Sequence, residues 1–583
     1  MNQKRRKYTT SAHMRSRRRR KKNIVPIIGT AIFVLVIICL FAGYFIHRRY
    51  SYGTKRADLN SYFSETSKDE YPIILGNERT GTYARDIDGV FYLSIDDVHS
   101  YISKRFYYGK EDNLFIFTTP SSIITNTVGS NIYTSTTDGE FTEAYPITRL
   151  EGETLYVALE YVAKFFNVSY SVYTDPNRIS MYVGTVSEQT ATLKKDTKLR
   201  IRGGVKSEIL TDLKKGSRVV IIEDLDDWME VRTEDGFVGY VESRMLAAKE
   251  SFSYGSSTVE EPVYTSISRP HQIVMGWHAV YGNSGLDYLE EVTANTKGLN
   301  TISPTWITLI DNQGGIENVG DAAYVAKAHA MGLEVWAMVS DHEHESVDSK
   351  EILSHAVSRK TLIDNLISEA KRLGLDGINI DFEDIPSEAG RDFIEFIREL
   401  SIDCRREQIV LSIDNYVPYG FNDYYDRTEQ GIVADYVVIM GYDEHYAGSS
   451  EAGSVASIGY VTYGIEGTTA QVPSSKVINA LPFYTRIWTV SSSGISSRAV
   501  GMKLAKDEAA SSGIEWTWNN ETAQYYGDIA NSDGSVTKIW LEDAESIAAK
   551  LAVMKANNLA GVAAWRLGFE TPDIWDVIYK YIQ

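Results

Sequence analysis

The stretch Leu373-Gly-Leu-Asp-Gly-Ile-Asn-Ile-Asp-Phe-Glu-Asp-Ile-Pro-Ser-Glu-Ala-Gly390 decides how the rest of this sequence is read. Its first half has the apolar texture of a strand, yet it carries Asp376, Asn379, Asp381 and Glu383. Residues two apart on an extended strand share a face, so Asn379, Asp381 and Glu383 form one polar row opposite Ile378, Ile380 and Phe382. Asp376 is out of phase with that row and is expected to hold the strand's entrance. A parallel strand in an α/β protein is normally apolar on both faces, and buried polar groups cost stability unless they are paired. The polar row is therefore where a functional site is expected.

Outward from it, residues 265–583 alternate apolar strands with helical runs, the pattern of βα units. Eight strand candidates fall at 272–277, 301–309, 334–339, 377–382, 409–413, 436–440, 477–482 and 561–565, with a Ser-, Trp- and Tyr-rich insertion at 490–540. Eight strands in a segment of this length predict a (β/α)8 TIM barrel, whose functional residues gather at the C-terminal strand ends. Polar and aromatic residues do cluster there: Trp277-His278, Trp306, Asp341-His342-Glu343, Glu383, Asp414-Asn415-Tyr416, Tyr442-Asp443, Tyr484 with Arg486, and Trp565-Arg566.

The 583 residues carry a formal charge of −19, although residues 1–22 hold 11 Lys or Arg and no acid. The remainder is more acidic still, which argues against nucleic-acid binding. Two distant cysteines, Cys39 and Cys404, exclude a disulfide framework and a Cys-based zinc site. Residues 23–46 contain no charge and are long enough to span a bilayer. The run is too long for a secretory signal's apolar core, and basic residues dominate upstream. This predicts a single-pass transmembrane helix behind a cytoplasmic arm (1–22), with the domains outside, as on a Gram-positive cell membrane.

A linker (47–70) leads to an α+β repeat at 71–186. Tyr92-Leu-Ser-Ile-Asp-Asp-Val98 aligns with Tyr156-Val-Ala-Leu-Glu-Tyr-Val162, each expected as strand, helix and hairpin. The pattern resembles the small domain named after the N-terminal region of copper amine oxidases, without ligands for copper. Residues 187–248 read as short strands. The spacing of Trp228, Gly236, Gly239 and Tyr240 resembles bacterial SH3-like domains, which implies a small all-β barrel and a cell-wall peptide as partner. A tryptophan in such a barrel is expected in its core. A second linker (249–264) precedes the large barrel.

Asp376-Gly-Ile-Asn-Ile-Asp-Phe-Glu383 resembles the DGxDxDxE signature of glycoside hydrolase family 18, the chitinase-like barrels. Met440-Gly-Tyr442-Asp443, Ala480-Leu-Pro-Phe-Tyr484 and Gly561-Val-Ala-Ala-Trp565 match further family patterns in the same order. Tyr484-Thr-Arg-Ile-Trp488 and Trp565-Arg-Leu-Gly-Phe-Glu570 look most like spore-cortex-lytic N-acetylglucosaminidases. The resemblance implies a glycosidase with a retaining, substrate-assisted mechanism and no cofactor or metal. It makes Glu383 the general acid, raised in pKa by Asp381, which orients the substrate's acetamido group. Tyr442, supported by Asp443, holds that group, and Trp565 forms the apolar floor. Tyr484, Arg486 and Trp277 are candidates for sugar contacts, and Asp376 and Asn379 for support.

The sequence departs from the family at two places. Asn379 replaces the second Asp of the signature, which in the family accepts a hydrogen bond from the middle Asp. This is expected to alter pH dependence more than to abolish turnover. Met338-Val-Ser-Asp-His342 replaces an SxGG-like end to strand three. Carboxylates two apart also occur at divalent-metal sites, Asp341-His-Glu-His-Glu345 lacks HExxH spacing and reads as a solvated loop, and a barrel that binds cell-wall glycan without cutting it would be a lectin-like scaffold. Such non-catalytic relatives usually lack the glutamate found here at 383.

Overall fold

The computed structural model describes residues 24–64, 67–255, 259 and 262–583. The basic arm read at 1–22 and parts of both linkers lie outside the described residues. Eight strands alternate with helices in the C-terminal half. They are β1 (Ile273–His278), β2 (Thr301–Leu309), β3 (Glu334–Ser340), β4 (Gly377–Asp381), β5 (Val410–Tyr416), β6 (Tyr436–Met440), β7 (Val477–Pro482) and β8 (Gly561–Trp565). The helices following them include α1 (Leu289–Thr293), α2 (Ala322–Ala330), α3 (Ala356–Leu373), α4 (Gly390–Glu407), α5 (Arg427–Val433), α6 (Ile458–Thr469), α7 (Ala544–Ala556) and α8 (Asp573–Tyr581). Every neighbouring strand pair is parallel and β1 bonds both β2 and β8, which closes the barrel.

Alternation along the strands builds two cores. Ile378, Ile380, Val562 and Ala564 point outward and pack under the helices. Met275, Trp277, Trp336, Met338, Val438, Ile478 and Ala563 fill the interior. Gly377 is required at the start of β4, because a Cβ there would lie 2.6 Å from the Trp336 indole. Asp376, just before it, accepts hydrogen bonds from His329 Nε2 (2.7 Å) and the Val335 amide (2.8 Å), so it fastens β4 to α2 and β3 at the barrel's bottom.

Two elements differ from the sequence expectation in ways that matter for the site. β5 runs on to Tyr416, so Asp414 and Tyr416 are strand residues. The insertion after β7 starts with the strand Tyr484–Ser491, which pairs with Gly494–Gly501 and Val536–Leu541 in a five-stranded antiparallel sheet. Tyr484 and Arg486 thus belong to that sheet.

The chain forms two compact units, one of Ala84–Val168 with Ser257–Gln583, the other of the residues up to Tyr83 with Ser169–Ser256. In the first, an antiparallel meander (Phe106–Gly109, Leu114–Thr118, Ile123–Thr127, Ile132–Ser135, Gly139–Thr142) covers the outer side of α4. This explains why α4 buries charged residues. Arg398, 2% exposed, donates to Glu395 (3.0 Å) and Glu429 (2.9 Å), and Glu429 also accepts from Arg105 (2.8 Å). Thr118 hydrogen-bonds Glu395, and Tyr107 hydrogen-bonds Asp392.

The second unit holds a 27-residue helix, Ile24–Tyr50, whose segment Ile28–Tyr50 is long and apolar enough to cross a membrane. Near the N-terminus, such a helix suits an anchor or a signal sequence. The same unit contains a seven-stranded antiparallel sheet whose core includes Ala191, Leu199, Leu210, Val219, Val231 and Val241. Trp228 is only half buried. It lines a cavity of about 180 Å³ with Lys198, Arg200 and Glu242 and does not join the core, contrary to the sequence expectation. In the first unit, the strand–helix succession of the α+β repeat is present twice, at Val90–Ser94 with Ile95–Tyr101 and at Thr154–Ala158 with Leu159–Phe165.

Candidate active site

A cavity of about 560 Å³ opens at the C-terminal ends of the barrel strands. Parallel register brings the polar row into it. Asn379 pairs with Met338 of β3 and Ser412 of β5, and Asp381 lies level with Ser340. Asp381 and Glu383 both line the cavity, together with Trp277, His342, Asp414, Tyr416, Tyr442, Asp443 and Trp565. Among the described residues its lining contains no Lys or Arg, and its basic side chains are His342 and His344.

Glu383 follows the end of β4 and is half buried. Its backbone N–H is held by Asp341 Oδ1 at 2.9 Å, while Asp341 Oδ2 accepts from Ser349 (2.7 Å). The Glu383 carboxylate accepts a hydrogen bond from the Tyr416 hydroxyl. Burial pushes the Glu383 carboxyl up from its usual range. The Tyr416 hydrogen bond and His342 oppose that shift, while Asp341 and Asp443 add to it. The direction is that expected from the sequence, but its chief cause is burial and the named like charges are other than Asp381. A half-buried carboxyl biased toward its protonated form at the edge of a cavity is suited to donate a proton.

Asp381 is 5% exposed, and burial first, then Asp414 and Glu383, raise its pKa well above the ordinary carboxylate range. Asn379 lies beneath it and outside the cavity. Its Oδ1 accepts from Trp277 Nε1 (3.0 Å) and Ser303 (3.2 Å), and its Nδ2 donates to Ser412 (3.0 Å) and Asp414 (2.8 Å). Trp277 is thus a barrel-interior residue that reaches the cavity with its ring, 5.8 Å from the Trp565 ring. Trp565 is half buried at the end of β8, before a cis peptide to Arg566.

Tyr442 follows β6 and faces the cavity, and Asp443 beside it takes a left-handed backbone (φ 59°), unusual outside glycine and frequent at functional positions. Tyr484 donates to Asp443 Oδ1 at 2.6 Å, and Arg486 donates to Ser497 at 3.0 Å. Neither Tyr484 nor Arg486 lines the cavity, so the structure places Tyr484 behind Asp443 and Arg486 on the inserted sheet. Three further residues belong to the constellation: Asp341, Asp414 and Tyr416. The sequence grouped them at strand ends without assigning roles. Asp341 is no part of a solvated loop, since it is 3% exposed and bound to the Glu383 backbone. Among the described residues no group of three or more His, Cys, Asp or Glu is arranged to hold a metal ion.

The profile of Glycosyl hydrolases family 18 matches residues 273–570, which is more than half of the chain and contains every residue just described. The chain belongs to glycosyl hydrolase family 18. Its closed eight-stranded barrel is the part that carries the family match, and a bacterial SH3 domain is matched at residues 195–247. The chain is 32% identical over 235 residues to "Putative sporulation-specific glycosylase YdhD" of Bacillus subtilis, covering 39% of this chain and 55% of that protein. It is 25% identical over 232 residues to the "Cortical fragment-lytic enzyme" of the same organism, covering 38% and 54%. The chain thus spans about half the length of these two curated relatives. Among solved structures, the Bacillus megaterium spore cortex-lytic enzyme SleL superposes with a TM-score of 0.48 at 20% identity, covering 56% of this chain and 76% of that one.

Proposed function

We propose that this family 18 glycosidase cleaves the β-linkage that follows an N-acetylhexosamine in peptidoglycan, with retention and with the substrate's own acetamido group as nucleophile. Glu383 protonates the glycosidic oxygen while the acetamido carbonyl oxygen bonds to the anomeric carbon and the C–O bond to the leaving sugar breaks. Water then attacks the anomeric carbon, gives its proton to Glu383 and opens the oxazolinium ring. Asp381 accepts from the acetamido N–H and stabilises the positive ring. Tyr442, with Asp443 and Tyr484 behind it, holds the carbonyl side, and the Trp565 ring lies under the sugar.

The observation that carries this reading is the placement of Glu383 and Asp381 on one cavity wall, with Glu383 raised by burial and gripped at its backbone by Asp341. Peptidoglycan as the polymer is supported by the names of the cortex-lytic and sporulation relatives and by the SH3 domain, at which a cell-wall peptide would bind. The Ile28–Tyr50 helix supports anchoring in a membrane with the catalytic domain outside. Digestion of purified peptidoglycan by the protein, followed by reducing-end analysis, tests the reading. Release of N-acetylglucosamine reducing ends is expected. Binding without release would replace it with the glycan-binding scaffold, and release of other ends would refute the bond assignment.

A further inference from the structure

Two carboxyl groups in the barrel interior lack the partners that two full charges would need. Ile380 pairs with Ile413 across β4 and β5, so the next residues, Asp381 and Asp414, are neighbours pointing into the same cavity. They are 5% and 3% exposed. Asp414 Oδ1 accepts from Asn379, but Asp414 Oδ2 and Asp381 Oδ1 are buried without any hydrogen-bond partner. An unpaired buried charge is costly, and two such charges side by side are costlier still.

Asn379 explains how the pair is arranged. The Trp277 indole can only donate, so the side-chain oxygen of Asn379 must face it and the amide nitrogen must face Asp414. All the hydrogen-bonding capacity of Asn379 is then in use, and a carboxylate at 379 would lie against the Asp414 carboxylate. Position 379 is neutral because position 414 carries the acid.

We propose that Asp414 is a positioning residue that shares a single proton with Asp381, so that a carboxyl pair spanning β4 and β5 does the work that Asn379 cannot. The proton sits between Asp381 and Asp414 Oδ2. When positive charge develops on the sugar, the O–H bond at Asp381 breaks and one forms at Asp414, leaving Asp381 ionised against the substrate. The proton returns on ring opening, and the pair keeps one negative charge throughout. Burial raises both groups well above the carboxylate range, consistent with one retained proton. The titratable groups facing the pair are Asp341 and His342 after β3, Glu383 after β4, Tyr416 on β5, Tyr425 after β5, and Tyr442 and Asp443 after β6. None is a fixed cation that could neutralise the pair.

The inference rests on the substrate-assisted reading for the proton's purpose, but not for its existence, so two readouts are used on the full-length protein. In thermal unfolding, a proton that the folded protein retains and the unfolded chain releases lowers stability as pH rises above the ordinary carboxylate range. Asp414→Asn should therefore gain melting temperature relative to wild type between pH 4 and pH 7. In hydrolysis, Asp414→Asn should lose at least tenfold in kcat, and the exchange Asn379→Asp with Asp414→Asn should recover most of that loss and the wild-type pH profile. An Asp414→Asn difference in melting temperature that does not change with pH overturns the shared proton. Wild-type kcat in Asp414→Asn, or an exchange variant as inactive as Asp414→Asn, overturns its role. If wild type does not cut the glycan, the functional reading fails while the melting data still decide the proton.

Discussion

Asp341→Ala isolates how much of the activity depends on holding Glu383 still. Asp341 does not line the cavity, and its bond to the Glu383 amide is the link through which it is expected to act. Its Oδ1 binds the Glu383 amide at 2.9 Å and its Oδ2 is fixed by Ser349 at 2.7 Å, which ties the residue after β4 to the end of β3. A hydrogen bond to a charged group contributes about 1.5–3 kcal/mol. If that restraint acts on Glu383 in the transition state, its loss lowers kcat by about ten- to a hundredfold. KM should stay within about twofold of wild type. Asp341→Asn keeps an acceptor oxygen for the Glu383 amide and should restore most of kcat. Both variants remove a negative charge that raises the Glu383 pKa, so in both the basic limb of the kcat/KM profile should move to lower pH. Steady-state kinetics on a soluble N-acetylglucosamine oligomer across pH would separate the two effects. A kcat near wild type in Asp341→Ala, or a loss carried by KM, would refute the positioning argument.

Tyr416→Phe removes the hydroxyl that stabilises the ionised form of Glu383, so its basic limb should move the other way, to higher pH, in the same assay. An unmoved limb would mean that the hydroxyl does not govern the acid. Arg398→Leu leaves Glu395 and Glu429 buried without their guanidinium and should cost about 3–5 kcal/mol in denaturant unfolding. A loss below about 1 kcal/mol would show that water or Arg105 replaces it.

The barrel was legible because strand alternation and apolar runs persist even where β4 carries acids, and its eight strands fall within a few residues of their sequence positions. Asp381 and Glu383 were legible for the same reason: a period of two places them on one face. Asp414 and Tyr416 are legible as strand-end residues but not in their roles, because β5 ends Asp-Asn-Tyr, where consecutive polar residues hide which side chains turn inward. The role of Asp341 rests on an amide 42 residues away, and side-chain pattern carries no trace of it. Tyr484 and Arg486 look like sugar contacts in sequence because their strand follows β7 directly, whereas it pairs into the inserted sheet. The charges of α4 look like a solvated helix face in sequence. They are buried because the Ala84–Val168 meander, remote in the chain, supplies Arg105, Tyr107 and Thr118 to meet them.

General acid catalysis by Glu383 is tested by hydrolysis of purified peptidoglycan by Glu383→Gln beside wild type, with thermal unfolding to establish that the variant is folded. General acid catalysis contributes about 10²–10⁴-fold, so the variant should lose activity on that scale while melting like wild type. A folded Glu383→Gln protein that releases N-acetylglucosamine ends at the wild-type rate would show that Glu383 is not the proton donor.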